Sequence, residues 1–271
     1  MNNFFFLGKI IIRGDIVIKT GIRIGGSPVG LKIGGVDLNV ITDPEGKPYI
    51  PGSSLKGKLR SLIEKKFAAA NPHFWNVEQK GKIVGHKCQN DESYKNCAVC
   101  KIWGIGVTEE ITVPTTTRLI VCDTYLDEKS ITQQMKDNLD LPYTEVKFET
   151  AINRLTGTAL HGSLRQIERV PAGAVFKDAE IIYNVYEEQD KEILKNVFIA
   201  LELLEDDYLG GMGSRGYGRV SFENIRVFWN KKEDYEAGHV ALVEERIINK
   251  NIGSTPSEIV QNFDKLMEKL V

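Results

Sequence analysis

One helical segment with an unusual charge pattern constrains the fold of this chain most strongly. Its apolar residues recur at the spacing of a single helix face: Leu55, Leu59, Leu62 and Ile63. The turn at 51–54, PGSS, precedes this face and predicts a serine N-cap. The sequence therefore predicts an amphipathic helix that begins after the turn and runs to about residue 70.

The charges at the start of this helix have the opposite sign to the one that a helix favours there. A helix N-terminus carries partial positive charge and favours Asp or Glu, yet this one has Lys56, Lys58 and Arg60, with no acid before Glu64. Gly57 lies among the cations and allows another backbone to come close. Free amide groups, a dipole and three cations at one helix end indicate an anion site, which we interpret as a phosphate site.

Asp37 is a single acid in a glycine-opened segment just upstream of the helix. A carboxylate beside a phosphate-binding helix end indicates chemistry on a phosphodiester, in which it would orient a 2′-hydroxyl or a metal ion. The more common role for such a residue is in a turn. One carboxylate does not make a magnesium cage, although magnesium can be held by one or two carboxylates together with waters and phosphate oxygens.

Composition excludes few function classes. The chain has 271 residues, a net charge of −2, 42% hydrophobic and 27% charged residues, which is ordinary for a globular protein. No apolar run approaches the ~20 residues of a membrane span. Lys9, Arg13 and Asp15 interrupt the apolar N-terminus in a strand-like pattern, so we expect a cytoplasmic protein without a secretion signal. The net charge neither indicates nor excludes nucleic-acid binding.

A polar segment contains four soft or borderline metal ligands: His86, Cys88, Cys97 and Cys100. Tetrahedral zinc takes four N or S donors, and the C-x-x-C turn presents two thiolates together. Because no position remains for water, we predict a structural zinc site. The alternative is a polar insertion with incidental cysteines.

Two further segments combine flexibility with positive charge. The stretch 209–220, LGGMGSRGYGRV, allows the backbone to come close to a polyanion, with Arg215 for charge and Tyr217 as a stacking face. A glycine-rich hairpin that serves only as a turn explains this stretch equally well. Basic residues also punctuate the segment 142–173, where a solvated loop is the more common explanation. They are Lys147, Arg154, His161, Arg165 and Arg169.

The order of predicted elements is strand, helix, strand, strand, helix, strand. Strands are predicted at about 4–19, 118–126, 174–186 and 219–229, and helices to about 70 and at 191–204. This order predicts an α+β, ferredoxin-like core of the RNA-recognition-motif (RRM) type. After it, Thr255 to Glu258 form a capping box that opens a C-terminal helix.

Three segments together resemble the repeat-associated mysterious proteins (RAMPs) of CRISPR systems, and most closely the backbone subunit of type III-A (Csm) effector complexes. They are 33–64, which contains IGGVD and SSLKGKLR, 152–176, which contains INRLTGTALHGSLRQIERV, and 209–220. The resemblance covers about 6–229. It also supports the four zinc ligands, because that subunit has a comparable insertion.

This resemblance implies a fold and an activity that composition does not. Residues 1–70 and 107–230 would form an RRM-like core, which includes a thumb-like hairpin at 142–173 and a glycine-rich loop at 210–218. Residues 71–106 would form a zinc-binding insertion, and residues 231–271 a C-terminal helical segment. Copies would stack in a filament along the CRISPR RNA with other Csm subunits. The thumb would splay nucleotides of the target RNA, which Asp37 would cleave with a divalent cation such as magnesium.

The resemblance also implies the RNA contacts. They would come from Ser53, Ser54, Lys56, Lys58, Arg60, Arg154, Arg165, Arg169, Gly211, Gly213, Arg215 and Tyr217. The general base is not assigned, because no histidine falls in a suitable motif. The rival interpretations are a non-catalytic RNA-binding scaffold of the same superfamily, a repeat-RNA processing nuclease, and a zinc-stabilised module with another partner.

Overall fold

A four-stranded antiparallel sheet organises the chain. The computed structural model describes residues 5–26, 36–71, 73–106, 109–240 and 242–270. The strands are β1 (Gly8–Ile18), β2 (Tyr49–Ile50), β3 (Val77–Gln79), β4 (Lys82–Gly85), β5 (Leu119–Val121), β6 (Thr124–Tyr125), β7 (Glu145–Glu149), β8 (Arg165–Arg169), β9 (Val175–Val185) and β10 (Val220–Lys231). The main sheet has the order β10-β1-β9-β5, and three two-stranded sheets pair β2 with β6, β3 with β4 and β7 with β8.

Helices connect and cover these strands. They are α1 (Gly52–Ala68), α2 (Asp91–Lys95), α3 (Ala98–Trp103), α4 (Gln133–Lys136), α5 (Glu188–Ile193), α6 (Lys195–Glu205), α7 (Lys232–Glu236), α8 (Pro256–Gln261) and α9 (Phe263–Met267). Within the described residues, short 3₁₀ turns occur at Glu128–Ser130, Gly213–Arg215 and Glu244–Arg246. The chain is therefore a mixed α/β protein, as its alternating patterns predict.

Alternating burial along β1 shows why the sheet forms where it does. Every second residue of this strand is buried and those between are half-buried, the period that places one face of a strand on a core. α1 and α6 pack on that face, and the predicted apolar face of α1 is buried in one hydrophobic core with it. The buried α1 residues in this core are Leu55, Leu59, Leu62 and Ile63.

The start of α1 differs from its prediction. The N-cap residue is Pro51, and no side chain of the predicted serine turn caps the helix. Instead the backbone N–H of Gly52 donates to Oδ1 of Asp123 at 2.7 Å. Asp123 follows β5, and a Cβ atom at Gly52 would lie 2.0 Å from the Val121 carbonyl oxygen. A distant carboxylate therefore replaces the local cap, and glycine is required by this close approach.

Several predicted elements are divided in the structure. The strand predicted at 118–126 is β5 and β6, separated where the chain turns to bring Asp123 to α1. The helix predicted at 191–204 is α5 and α6, which meet at Leu194, and the C-terminal helix is interrupted at Asn262 between α8 and α9. Apolar spacing continues across these junctions, so the sequence pattern does not reveal the local change in hydrogen bonding.

Other predictions agree closely with the structure. The first strand, predicted over about 4–19, is Gly8–Ile18, while residue 4 lies outside the described residues. The capping box is confirmed: Thr255 accepts from the backbone N–H of Glu258, whose side chain accepts from the backbone N–H of Thr255 in return. The glycine-rich turn predicted at 21–35 is described only to residue 26.

The chain after β10 protects the outer edge of the main sheet. Asn249 is buried; its Oδ1 accepts from Val227 N at 2.8 Å and its amide donates to Ile225 O at 2.8 Å. Ser254 O accepts from Ile225 N at 2.8 Å. Because these bonds occupy backbone groups of an edge strand, that edge is not free to pair with another sheet.

Two glycines of α1 provide a test of this packing. We expect Gly52→Ala to destabilise the zinc-loaded chain by about 1–3 kcal/mol, because its Cβ has no room. Gly57→Ala should stabilise it by ~0.5–1 kcal/mol, because among the described residues no atom outside the helix's own backbone lies within 4 Å of a Cβ there. Urea unfolding of both variants measures the difference, and equal stabilities would contradict the packing described.

Candidate nucleic-acid interface and metal centre

Asp37 lies at the root of a protruding hairpin. Its side chain is exposed, and Oδ2 accepts from the backbone N–H of Gln166 at 2.8 Å. The adjacent Leu38 forms a parallel bridge with Ile167 of β8, and its carbonyl accepts from Glu168 N at 2.9 Å. Backbone pairing thus attaches the Asp37 segment to β8. The glycines at 34 and 35 lie outside the described residues.

The hairpin itself is β7 paired with β8 through five residue pairs, from Glu145↔Arg169 to Glu149↔Arg165. Its connecting segment, 150–164, is almost entirely exposed, and Leu155 is 97% exposed. The segment 142–173, for which the sequence allows either a hairpin or a loop, is therefore a hairpin in the structure. An exposed apolar tip beyond a paired root is a shape that can reach another molecule.

A carboxylate joins the hairpin root to the glycine-rich loop. Glu149, with 13% of its side chain exposed, accepts from Tyr217 Oη at 2.8 Å, Arg215 at 3.1 Å and Arg165 at 3.4 Å. Burial raises the pKa of Glu149, but the Tyr217 hydroxyl and these guanidinium groups outweigh it and hold the pKa below its ordinary value. Glu149, Arg165 and Arg215 line one depression together with the exposed Arg154.

Tyr217 does not present the stacking face that the sequence predicted. The residue is 0% exposed, and its ring lies beneath the cations of Lys147 at 4.6 Å and Arg169 at 5.0 Å. Burial and the Glu149 carboxylate raise the pKa of Tyr217 to about 12. The ring is closed to an RNA base because the hairpin root covers it, a tertiary contact that the glycine-rich motif does not encode.

Glycines of the loop serve close packing within the chain. Gly210 has φ +82°, and a Cβ there would lie 2.3 Å from the Arg23 carbonyl oxygen. A Cβ at Gly213 would lie 1.9 Å from the Tyr208 ring. Gly211 is less crowded and donates its N–H to Arg23 O at 2.9 Å. The glycine-rich loop therefore forms a tightly packed turn. Arg215 is the exposed arginine of this loop, with 51% of its side chain accessible to solvent.

Lys56 and Lys58, the two lysines near the start of α1, have partners within the chain. Lys56 Nζ donates to Leu119 O at 2.8 Å, and burial lowers the pKa of its ammonium group. Lys58 Nζ lies 3.1 Å from an Asp207 carboxylate oxygen and 3.8 Å from the centre of the Tyr208 ring. Both ammonium groups would therefore have to leave a partner within the chain in order to bind a phosphate.

Small residues form the exposed surface between these cations. Ser53 and Gly57 are exposed, and Ser54 is half-buried. A further backbone can approach α1 at Gly57, because a Cβ added there would have open space around it among the described residues. This open face is the part of the predicted phosphate site that remains available.

Arg60 is held more fully than the lysines. Its Nε donates to Glu64 at 2.7 Å, and its two terminal nitrogens donate to Gly104 O at 2.9 Å and His86 O at 3.0 Å. The two carbonyl acceptors, unlike Glu64, lie in the segment that carries the predicted metal ligands. The structure thus separates Arg60 from the two lysines with which the sequence grouped it.

Arg23 is a cation that the sequence reasoning missed. It lies between the glycine-rich loop, whose Gly211 binds its carbonyl, and the strand-like segment that includes Val40. Burial lowers the pKa of Arg23, while the nearby Glu168 carboxylate acts against this. Its Nε is buried without a hydrogen-bond acceptor among the described residues. In the sequence this arginine lies in the glycine-rich run GIRIGG, two residues before a glycine, and that position is the signal from which it could have been predicted.

The four predicted metal ligands converge. The candidate donor atoms of His86, Cys88, Cys97 and Cys100 lie within 4.8 Å of one another. The Cys97 Sγ is 3.3 Å and the Cys88 Sγ 3.7 Å from His86 Nε2. One imidazole and three sulfurs at this separation fit tetrahedral zinc. Cys122, the remaining cysteine, is not part of the cluster.

Groups around the cluster favour metal binding. The Nδ1–H of His86 donates to Phe74 O at 2.8 Å, which leaves Nε2 for the metal, and the two rings stack at 3.9 Å. Hydrogen bonds from Cys100 and Cys88 hold the pKa of the Cys97 thiol well below its ordinary value. Hydrogen bonds with Cys100 and Cys97 raise the pKa of the Cys88 thiol, so Cys97 is the thiol held most readily as the thiolate that binds zinc.

Membrane insertion by a helix finds no support in the described part of the chain. None of the helices there is both long and apolar enough to cross a bilayer.

The chain belongs to the RAMP superfamily, whose family model matches residues 15–221. Among curated relatives it is 42% identical over 236 residues, covering 87% of each chain, to the CRISPR system Cms endoribonuclease Csm3 of Methanocaldococcus jannaschii. It is 40% identical over 218 residues to the same-named protein of Enterococcus italicus, covering 79% of this chain and 89% of that one.

Solved structures give the same relationship. A chain of the Csm3–Csm4 subcomplex of the type III-A CRISPR–Cas interference complex is similar with a TM-score of 0.54 and 30% identity, covering 96% of this chain and 97% of that one. The Csm3 crystal structure from Methanopyrus kandleri has a TM-score of 0.66 at 23% identity, covering 98% of each chain. At this lower identity the second structure shows the common fold.

Zinc removal tests the metal centre. We expect the purified chain to hold one zinc ion and Cys100→Ser to lose it, with a marked fall in the unfolding temperature, because metal binding stabilises the folded segment. Elemental analysis and thermal unfolding with and without a chelator measure both effects. Cys122→Ser is the matched control and should keep its zinc; equal zinc loss in the two variants would contradict the assigned ligands.

Proposed function

We propose that this chain is the CRISPR RNA-binding backbone subunit of a type III-A interference complex, and that it cleaves guide-complementary target RNA at regular intervals. Similarity along nearly the whole chain to curated Csm3 endoribonucleases is the observation that carries the proposal. Base pairing with the guide would read the target sequence, while the protein contacts the backbones and positions the cleavage site.

The architecture suits such a subunit. The main-sheet order β10-β1-β9-β5, with α1 and α6 as its helices, supports the ferredoxin-like, RRM-like core. Copies of the chain would stack in a filament along the CRISPR RNA, together with other Csm subunits, in the cytoplasm. The crystallised pairing of Csm3 with Csm4 supports assembly with other subunits.

The guide strand would lie along the exposed face of α1. Ser53, Ser54 and Gly57 offer small surfaces on which a sugar–phosphate backbone can rest. Lys56 and Lys58 flank this face, and exchanging their present partners for phosphates would strengthen binding at low salt.

The hairpin β7–β8 would be the thumb that separates guide and target. Its exposed apolar tip suits insertion between nucleotides, and Arg154, Arg165 and Arg215 surround a depression at its root that suits a phosphate. Arg169 is bound to Glu145 at 2.7 Å, and Tyr217 is buried. These two side chains would support the RNA-facing arginines from beneath, together with the packed Gly211 and Gly213.

Asp37 would act at the scissile phosphodiester. The Gln166 N–H donates to Oδ2 at 2.8 Å, which would orient the carboxylate and leave Oδ1 to act on the RNA. In the reaction, the 2′-oxygen forms a bond to phosphorus, its proton passes to a base, and the bond from phosphorus to the 5′-oxygen breaks. The carboxylate would orient the attacking hydroxyl for this in-line displacement.

A divalent ion fits this site only with help from the RNA. Among the described residues the histidine–cysteine cluster is the only group of three or more potential ligands, so Asp37 offers a single exposed carboxylate. Magnesium is often held by one or two carboxylates, waters and phosphate oxygens. When bound in this way, the ion would neutralise charge on the phosphate.

One observation favours the rival interpretation of a non-catalytic scaffold. An exposed aspartate that accepts a backbone N–H is a common way to fix a turn, and Asp37 does this with Gln166. A scaffold would keep every proposed RNA contact and lack only the cleavage.

Substitution of Asp37 separates the two. In a reconstituted complex we expect Asp37→Ala and Asp37→Asn to lower target cleavage by at least ~100-fold, because both remove the negative charge of the carboxylate, with target binding unchanged. Asn keeps an acceptor for the Gln166 N–H and therefore controls for local structure. Asp43→Asn is a matched control in the same segment, since Asp43 accepts from Glu45 N and Lys47 N within its own turn. Undiminished cleavage by both Asp37 variants would favour the scaffold.

Salt dependence tests the proposed phosphate contacts. We expect Arg215→Gln to weaken RNA binding and to reduce the slope of log affinity against log salt by about 0.7, the change for one lost contact to a single strand. Arg226→Gln is the charge-matched control, because Arg226 pairs with Asp178 on the main sheet. An equal change in both variants would mean that only net charge matters.

A further inference from the structure

Arg60 connects the RNA-binding helix to the metal-binding segment. With about a third of its side chain exposed (29%), it projects from α1 and donates hydrogen bonds to two backbone carbonyls outside the helix, those of His86 and Gly104. Hydrogen bonds from a charged donor are about twice as strong as neutral ones. The two carbonyls therefore have strong, directed links to one helix side chain.

These carbonyls lie on the two chain segments that supply all the metal ligands. His86 is itself a ligand and is followed closely by Cys88. Gly104 ends α3, the helix that carries Cys100 and begins after Cys97. One guanidinium group thus bridges both halves of the cluster on the side that faces α1.

Glu64 determines the direction of this bridge. It lies one turn after Arg60 on α1, accepts from Nε at 2.7 Å, and has only 9% of its side chain exposed. A planar guanidinium bound at Nε has its terminal nitrogens turned in a fixed direction, here toward the metal segment. The carboxylate also offsets the charge of Arg60, which weakens its attraction for an RNA phosphate.

We infer that Arg60 is a positioning residue that couples zinc binding to RNA binding, rather than a phosphate ligand. Zinc holds the His86 and Cys97–Cys100 segments together, and Arg60 transmits that arrangement to the exposed face of α1 next to Gly57. The coupling acts in both directions, so bound RNA slows zinc loss and zinc loss weakens RNA binding. The RNA half of this inference rests on the proposed function.

Zinc release is the first test and requires no RNA. In the full-length zinc-loaded chain, we expect Arg60→Gln to release zinc to a chromogenic chelator about 10-fold faster than the unmodified chain, the lower end of the effect of removing an outer-shell contact. Lys65→Gln is the matched control, because Lys65 is an exposed cation of the same helix, and its release rate should stay unchanged. Equal release rates for Arg60→Gln and the unmodified chain would overturn the inference.

RNA binding is the second test, with a fluorescent single-stranded RNA as the probe. We expect Arg60→Gln to bind this RNA more weakly after partial zinc removal, excess zinc to restore the affinity, and the salt slope to match that of the unmodified chain. Zinc-independent weakening with a slope reduced by about 0.7 would instead identify a phosphate ligand and overturn the inference. If the unmodified chain binds no RNA, the proposed function fails, and the zinc-release result still judges the role of Arg60.

Discussion

Burial of one face of α1 is the interaction on which the rest of the structure depends. Leu55, Leu59 and Ile63 are almost completely buried against the sheet, and each buried side chain of this size contributes ~1.5–3 kcal/mol. This packing leaves the opposite side of the helix for Gly57 and the small residues around it. It also directs Arg60 toward the candidate metal segment, so the same helix joins the core, the candidate RNA surface and the candidate metal site.

A second constraint is backbone pairing beside the hairpin. The bridge between Leu38 and Ile167 brings together segments far apart in sequence and places Asp37 against Gln166. Glu149 then fastens the same hairpin root to the glycine-rich loop. Consequently the candidate catalytic carboxylate lies near the same hairpin root as Arg165 and Arg215, while the hairpin tip is exposed.

Local patterns made much of this predictable. The apolar spacing of α1, the alternation in β1 and the capping box at Thr255 are short-range signals, and each element forms where its pattern lies. The convergence of the four candidate metal ligands was also predictable, because a C-x-x-C turn and a nearby histidine need little chain to come together. The cap of α1 was not, since Asp123 reaches it from beyond β5.

The sequence by itself determined the types of secondary-structure element, the four candidate metal ligands and Asp37 as the candidate catalytic carboxylate. Only the tertiary structure decided which cations remain open. Lys56, Lys58 and Arg60 are neighbours in sequence, yet a helix turns each toward a different partner, and packing between distant segments decides what that partner is. For the same reason Tyr217, an exposed stacking ring by its motif, lies buried beneath the hairpin root.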